Sequence, residues 1–168
     1  TSVQYRKRNW YSGLNMIQYT FSKRIQKDDV PYNYFALAGK HFSNYSLDYG
    51  LTLKNIYTFG EIAIDRNYHS AFIKGVLISV HPKASLSFLY RTISTSYQAF
   101  YGNALIANNA VSNEKGIFAG LALKPYAGWN LEWYVDIYHF PWLKYRTDAP
   151  SYGKSFFDVI SAKEIAIN

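Results

Sequence analysis

The chain has 168 residues, 49% hydrophobic and 17% charged, with 18 Lys+Arg against 11 Asp+Glu and a formal charge of +7. It has no cysteine, which excludes a disulfide scaffold, thiolate metal sites, a catalytic Cys and iron–sulfur ligation. No apolar run approaches the roughly 18–20 residues of a transmembrane helix. Yet 19% of the residues are aromatic and the mean hydropathy is −0.20. The hydropathy would pass for an ordinary soluble domain, and it does not exclude a transmembrane β-barrel, whose strands alternate apolar and polar side chains.

Period-two alternation runs through most of the chain and predicts strands. From the N-terminus these are Val3–Tyr11, Leu14–Ser22 and Tyr34–Phe42. The cleanest run is Ser46–Leu53, in which every odd position is apolar and every even one small or polar. Then follow Ile56–Asp65, Ser70–Val80, Ser85–Arg91, Gly116–Leu123, Trp129–Tyr138 and Ser155–Ile160. About ten strands result, with no linker or repeat, so residues 1–168 read as one antiparallel all-β domain, either a barrel or part of one. The chain begins at Thr1 without Met and stops at Ala166-Ile167-Asn168 part-way through a pattern. It reads as mature or internal sequence.

The connections carry the architecture. Tight turns are predicted at Lys54-Asn55, His81–Ala84 and Lys124–Gly128. Between them lie a short link at Arg66–His69 and long ones at Thr92–Lys115 and His139–Tyr152. Short turns at one end and longer loops at the other are the layout of a transmembrane barrel. Lys23–Asn33 breaks this alternation, because it is too long for the tight turn expected there.

With the apolar parity taken as outward, Leu47, Leu51, Ile62, Phe88, Ile117, Leu121, Val135 and Ile137 face lipid, and no charge falls in the outward set. The inward set holds Asp48, Glu61, Asp65, Lys74, Arg91, Lys124, Glu132 and Asp136, a lumen of both charge signs. The Ser70–Val80 strand is apolar on both faces and leaves its parity open. Aromatic residues near strand ends, Trp10, Tyr57, Trp129, Phe140, Trp142 and Tyr145, form the expected girdles at the headgroup level.

Chemical motifs are sparse. No phosphate-binding glycine loop occurs, and the four histidines lack i,i+2 or i,i+4 partners, so neither cofactor nor metal is expected. His41-Phe42-Ser43-Asn44 fits the H-x-S-N pattern of outer-membrane lipid hydrolases, in which imidazole activates hydroxyl at the membrane surface. No orienting carboxylate or amide can be assigned to His41, and Ser43-Asn44 also suits a turn. Arg6-Lys7-Arg8, Lys23-Arg24 and Lys27 make the N-terminal quarter basic. Anionic headgroups account for this as well as nucleic acid does, and no nucleic acid is expected to bind this segment.

Several spaced runs resemble a known family. They are Phe59-Gly60-Glu61-Ile62-Ala63, Ser85–Arg91, Ser96–Ala104 and Asn113–Gly120, then Tyr134–Tyr145, which contains Phe140-Pro141-Trp142-Leu143, and Asp148–Gly153. Together they are similar to the C-terminal β-barrel portion of Bacteroidota helix-hairpin-helix domain proteins, over about Tyr49 to Gly153. The resemblance implies the outer membrane of a Gram-negative bacterium, with lipid and other outer-membrane or periplasmic proteins as partners. It supplies no catalytic residues. Glu61, Arg91, Glu114 and Asp136 are expected to pair within the lumen. The leading expectation is a non-enzymatic pore, scaffold or complex subunit. The alternatives are a lipid hydrolase using His41 and Ser43, and a soluble barrel that holds an apolar ligand.

Overall fold

The computed structural model describes residues 1–162; Ala166-Ile167-Asn168, where the sequence pattern was read as interrupted, lies outside them. Nine strands form one sheet: β1 (Ser2–Lys7), β2 (Trp10–Ile25), β3 (Gly39–Leu53), β4 (Ile56–Asp65), β5 (Ser70–His81), β6 (Ala84–Ile93), β7 (Glu114–Leu123), β8 (Trp129–Phe140) and β9 (Ser151–Ala162). Each pairs antiparallel with the next, in the order β1 to β9. Among the described residues no pairing joins β1 to β9.

The structure differs from the predicted strands in two places. The first turn falls at Arg8-Asn9, with Lys7 opposite Trp10, and not near Ser12-Gly13. Gly13 lies inside β2, where a Cβ would collide with the Asp48 carboxylate of β3. The predicted strands Tyr34–Phe42 and Ser46–Leu53 overlap a single strand, β3, which runs through Ser43-Asn44 without a turn. Nine strands result instead of ten, and the alternation is restored. Arg8-Asn9, Lys54-Asn55, Pro82-Lys83 and 124–128 connect strands at one end. Residues 26–38, 66–69, 94–113 and 141–150 connect them at the other. Arg8 (φ 21°) and Lys54 (φ 52°) take the left-handed backbone of tight turns, and Asn55 Nδ2 donates to Ser79 O at 2.9 Å.

Alternation gives the sheet two unlike faces. One is shielded: it carries Asp65, Ala71, Leu89, Arg91, Ile93, Glu114 and Phe140, all buried. On this face a large side chain repeatedly lies across a glycine of the next strand. Tyr11 covers Gly50, Phe59 covers Gly75, Arg91 covers Gly116 and Tyr138 covers Gly153, each pair being directly opposed in the register. The other face is exposed and apolar, with Leu47, Ile62, Phe88, Ile117 and Ile137 each about half accessible.

Candidate functional site: the charged face and its loop cover

Arg91 is the centre of the shielded face. It projects from β6 over Gly116 of β7, where a Cβ would lie 2.6 Å from the guanidinium carbon. The missing side chain lets Arg91 reach past β7 to β8. There Nη1 and Nη2 donate to the two oxygens of Asp136, each at 2.9 Å. Its Nε donates to Glu114 Oε1 at 2.6 Å. This is a fork of five donors used bidentately on one carboxylate and singly on another. Arg91 and Glu114 are fully buried, so their charges depend on each other.

Glu114 also turns outward along the chain. Its oxygens accept the backbone N–H groups of Ala107 at 2.9 Å and Asn108 at 2.7 Å. The long segment 94–113 is therefore folded back onto the sheet. Asp65 holds it at a second point, because its Oδ2 accepts Gln98 N at 3.1 Å, while Asn44 Nδ2 donates to Gln98 O at 2.9 Å. Tyr19 supplies a third, its hydroxyl accepting Phe100 N at 2.7 Å. Tyr97 packs with Ala71 and Ile93 beneath the segment, and burial pushes its phenol up to about 12. Asp65 further accepts Asn67 N and His69 N and meets His69 Nδ1 at 2.9 Å, which fixes the 66–69 turn.

The other long loops join this cover. Asn113 Nδ2 donates to Trp142 O at 3.1 Å and its Oδ1 accepts Trp142 N at 2.7 Å. The indole Nε1 of Trp142 donates to Pro31 O at 3.0 Å, tying residues 141–150 to residues 26–38. Tyr32 meets Tyr145 edge-on at 5.6 Å, and Phe35 meets Trp142 at 5.0 Å. A cleft of about 660 Å³ remains between the three loops.

The predicted lumen residues are distributed as follows. Asp48, Glu61, Asp65, Arg91, Glu132 and Asp136 share the shielded face. Only Arg91 and Asp136 of these form an ion pair with each other, joined by Glu114. Glu61 makes no ion pair among the described residues. Asp48 accepts from Asn15 Nδ2, and Glu132 accepts from Asn130 Nδ2 at 2.7 Å. Lys74 does not belong to the set. The register puts Ile73 opposite Glu61 and Arg91, and Lys74 opposite Gly60 and Tyr90 on the exposed face. A strand apolar on both faces has no phase of its own, and its neighbours set it. Lys115, Lys154 and Asp158 share that exposed face, so it is not free of charge as the parity reading expected.

The aromatic set divides too. Trp10 and Trp129 are exposed on the apolar face beside the tight turns. Tyr57 lies on the shielded face, stacked on Phe59 at 5.7 Å, and Phe140 is buried there. Trp142 and Tyr145 serve loop packing. These four were expected in a girdle, but position near a strand end does not determine which face a ring occupies. His41 and Ser43 share the exposed face two residues apart. His41 Nδ1 lies 3.1 Å from Thr20 Oγ1, and Ser43 is buried. Among the described residues no cluster of His, Asp and Glu is arranged to hold a metal.

Comparison with protein families, with curated proteins and with solved structures finds no match for this chain.

Proposed function

We propose that this sheet is the wall of an outer-membrane β-barrel in a Gram-negative bacterium, with lumen capped by its own loops, acting as a non-enzymatic scaffold or subunit rather than an open pore. The observation that carries this reading is the inversion of the two faces. Most of the exposed large apolar side chains of the strands lie on one face, Ile17, Leu77 and Phe157 being exceptions, while Arg91 and every carboxylate of the described strands except Asp158 are gathered on the other. A soluble barrel has the reverse. The strands of 10 to 16 residues from β2 to β9 are long enough to cross a bilayer when tilted. Lys74 and Lys154 lie in one cross-strand row with Tyr90, Ile117 and Ile137, on the long-loop side of Val76 and Val135, and their long chains can extend toward the interface at that end. The resemblance to the barrel portion of Bacteroidota helix-hairpin-helix domain proteins points to the same compartment. Lipid on the apolar face, and other outer-membrane or periplasmic proteins at the ends, are the partners of this reading.

Bilayer hydrocarbon tolerates no unpaired strand edge. The outer edges of β1 and β9 are therefore paired in the membrane, with each other or with further strands. Arg placed in the row Val76, Ala119 and Val135 tests the reading, at about 2–4 kcal/mol per charge near the midplane. Each should abolish assembly into liposomes, and Arg at Ala122, opposite Glu132, should be accepted. Equal tolerance on both faces would defeat the membrane assignment.

A further inference from the structure

We propose that the cleft between the three long loops is a binding site for an acidic oligosaccharide. The site does not depend on the membrane reading, since it is built wholly from residues 26–38, 94–113 and 141–150. Its volume of about 660 Å³ falls within the range of roughly 300–1,000 Å³ typical of ligand sites. Its walls are fixed before any ligand arrives. Trp142 is bonded to both Pro31 and Asn113, Glu114 holds the 107–108 backbone, and Asp65 holds Gln98. Little ordering is then left for binding to bear.

The lining defines the ligand. Tyr32, Phe100, Trp142 and Tyr145 supply flat apolar rings, and Gln98, Asn103 and Asn109 supply side-chain amides that both donate and accept. Rings alternating with amides match the apolar C–H faces and hydroxyl edges of a sugar chain. Among the described residues the charges in the lining are all positive: Lys27 and Lys144 line the cleft and no carboxylate does. Asp28, Asp29 and Asp148 belong to the same loops but stay outside it. Lys144 Nζ sits 3.7 Å above the Phe140 ring, which places its charge at low entropic cost. Two lysines, from different loops, and no arginine fork among the described lining residues suit carboxylates better than a phosphate cluster. An acidic peptide is disfavoured because no strand contributes to the lining, so no sheet edge offers backbone pairing.

Trigalacturonate, its methyl ester and triglutamate, titrated by calorimetry into the purified chain, test the site. Saturable binding of trigalacturonate is expected, weakened about tenfold or more in the ester and in the Lys27→Gln/Lys144→Gln double variant. Near-ultraviolet circular dichroism checks that the variant keeps its packing. Asn109→Asp, at an exposed wall position, should weaken binding by charge repulsion without touching the fold. Absence of trigalacturonate binding, equal affinity for the ester, or unchanged affinity in both variants would overturn the proposal. Tighter binding of triglutamate would do the same and assign the cleft to acidic peptides.

Discussion

Arg91 and Glu114 meet at 2.6 Å, both fully shielded, although 23 residues of loop and strand separate them in the chain. The same carboxylate holds the loop by two backbone N–H groups. One side chain thus couples the charged face of the sheet to its cover. Asp136 would still neutralise Arg91 if Glu114 were lost, but the loop amides would have no acceptor.

Replacing Glu114 by Ala should destabilise the fold by about 1–3 kcal/mol, the range for leaving buried N–H donors without an acceptor, since Asp136 still neutralises Arg91. Amide hydrogen exchange at Ala107 and Asn108 should accelerate in the same variant. Glu114→Gln keeps an acceptor oxygen and should retain part of that protection. Unchanged exchange at both amides in Glu114→Ala would show that the carboxylate does not hold the loop.

Tyr97 sets an alkaline limit. Its phenol is pushed up to about 12, chiefly by burial, with Glu61 and Asp65 adding repulsion and Asn44 opposing through a hydrogen bond. The unfolded phenol ionises near 10. The folded form resists losing its proton, so this contribution is complete below pH 10 and is lost as pH rises toward 12. Tyr97→Phe should flatten the decline in stability over that window. It is read by denaturant unfolding at several pH values, alongside phenolate absorbance of the two proteins. An identical decline in the variant would place the titrating group elsewhere.

If the sheet spans the outer membrane as proposed, its topology follows from the alternating connections. Because the chain has no native cysteine, single Cys substitutions label cleanly. On whole cells an impermeant thiol reagent should reach Cys at Asn109 or Asp148, in the long loops. It should not reach Cys at Tyr126, in the 124–128 turn, until the outer membrane is breached. Labelling at Tyr126 alone on intact cells would invert the proposed orientation.

The strand pattern was legible because half of each strand is apolar, and alternation survives without knowledge of partners. Turns with Pro or Gly, such as His81–Ala84 and Lys124–Gly128, were legible for the same local reason. Arg8-Asn9 was not: although Asn favours turns, Tyr5, Trp10 and Tyr11 carry an aromatic run through it. Gly13 misled in the opposite sense: it gives room to Asp48 and makes no bend. Arg91 and Asp136 could be put on one face by parity. Their pairing depends on Gly116 lying between them, which only the register reveals. The inward fold of residues 94–113 had no periodic signal at all. It rests on Asp65, Tyr19 and Glu114, three strand residues far apart in sequence.

The H-x-S-N motif supports a last prediction, that lipid hydrolysis does not occur at His41 and Ser43. A serine nucleophile needs an imidazole that accepts its proton and a third group that fixes the ring. His41 is instead placed with its Nδ1 at Thr20, a hydroxyl that carries no charge to stabilise imidazolium. The carboxylate–histidine contact in this fold belongs to Asp65 and His69, where the histidine closes a turn. Ser43 is also screened from solvent, and substrate would have to displace neighbours to reach it. Reconstituted protein should therefore release no fatty acid from phospholipid or lipid A above the level of Ser43→Ala. Release that vanishes in Ser43→Ala and in His41→Ala, with both variants assembled, would make this protein a hydrolase. Release that persists in both variants would place a hydrolytic site elsewhere.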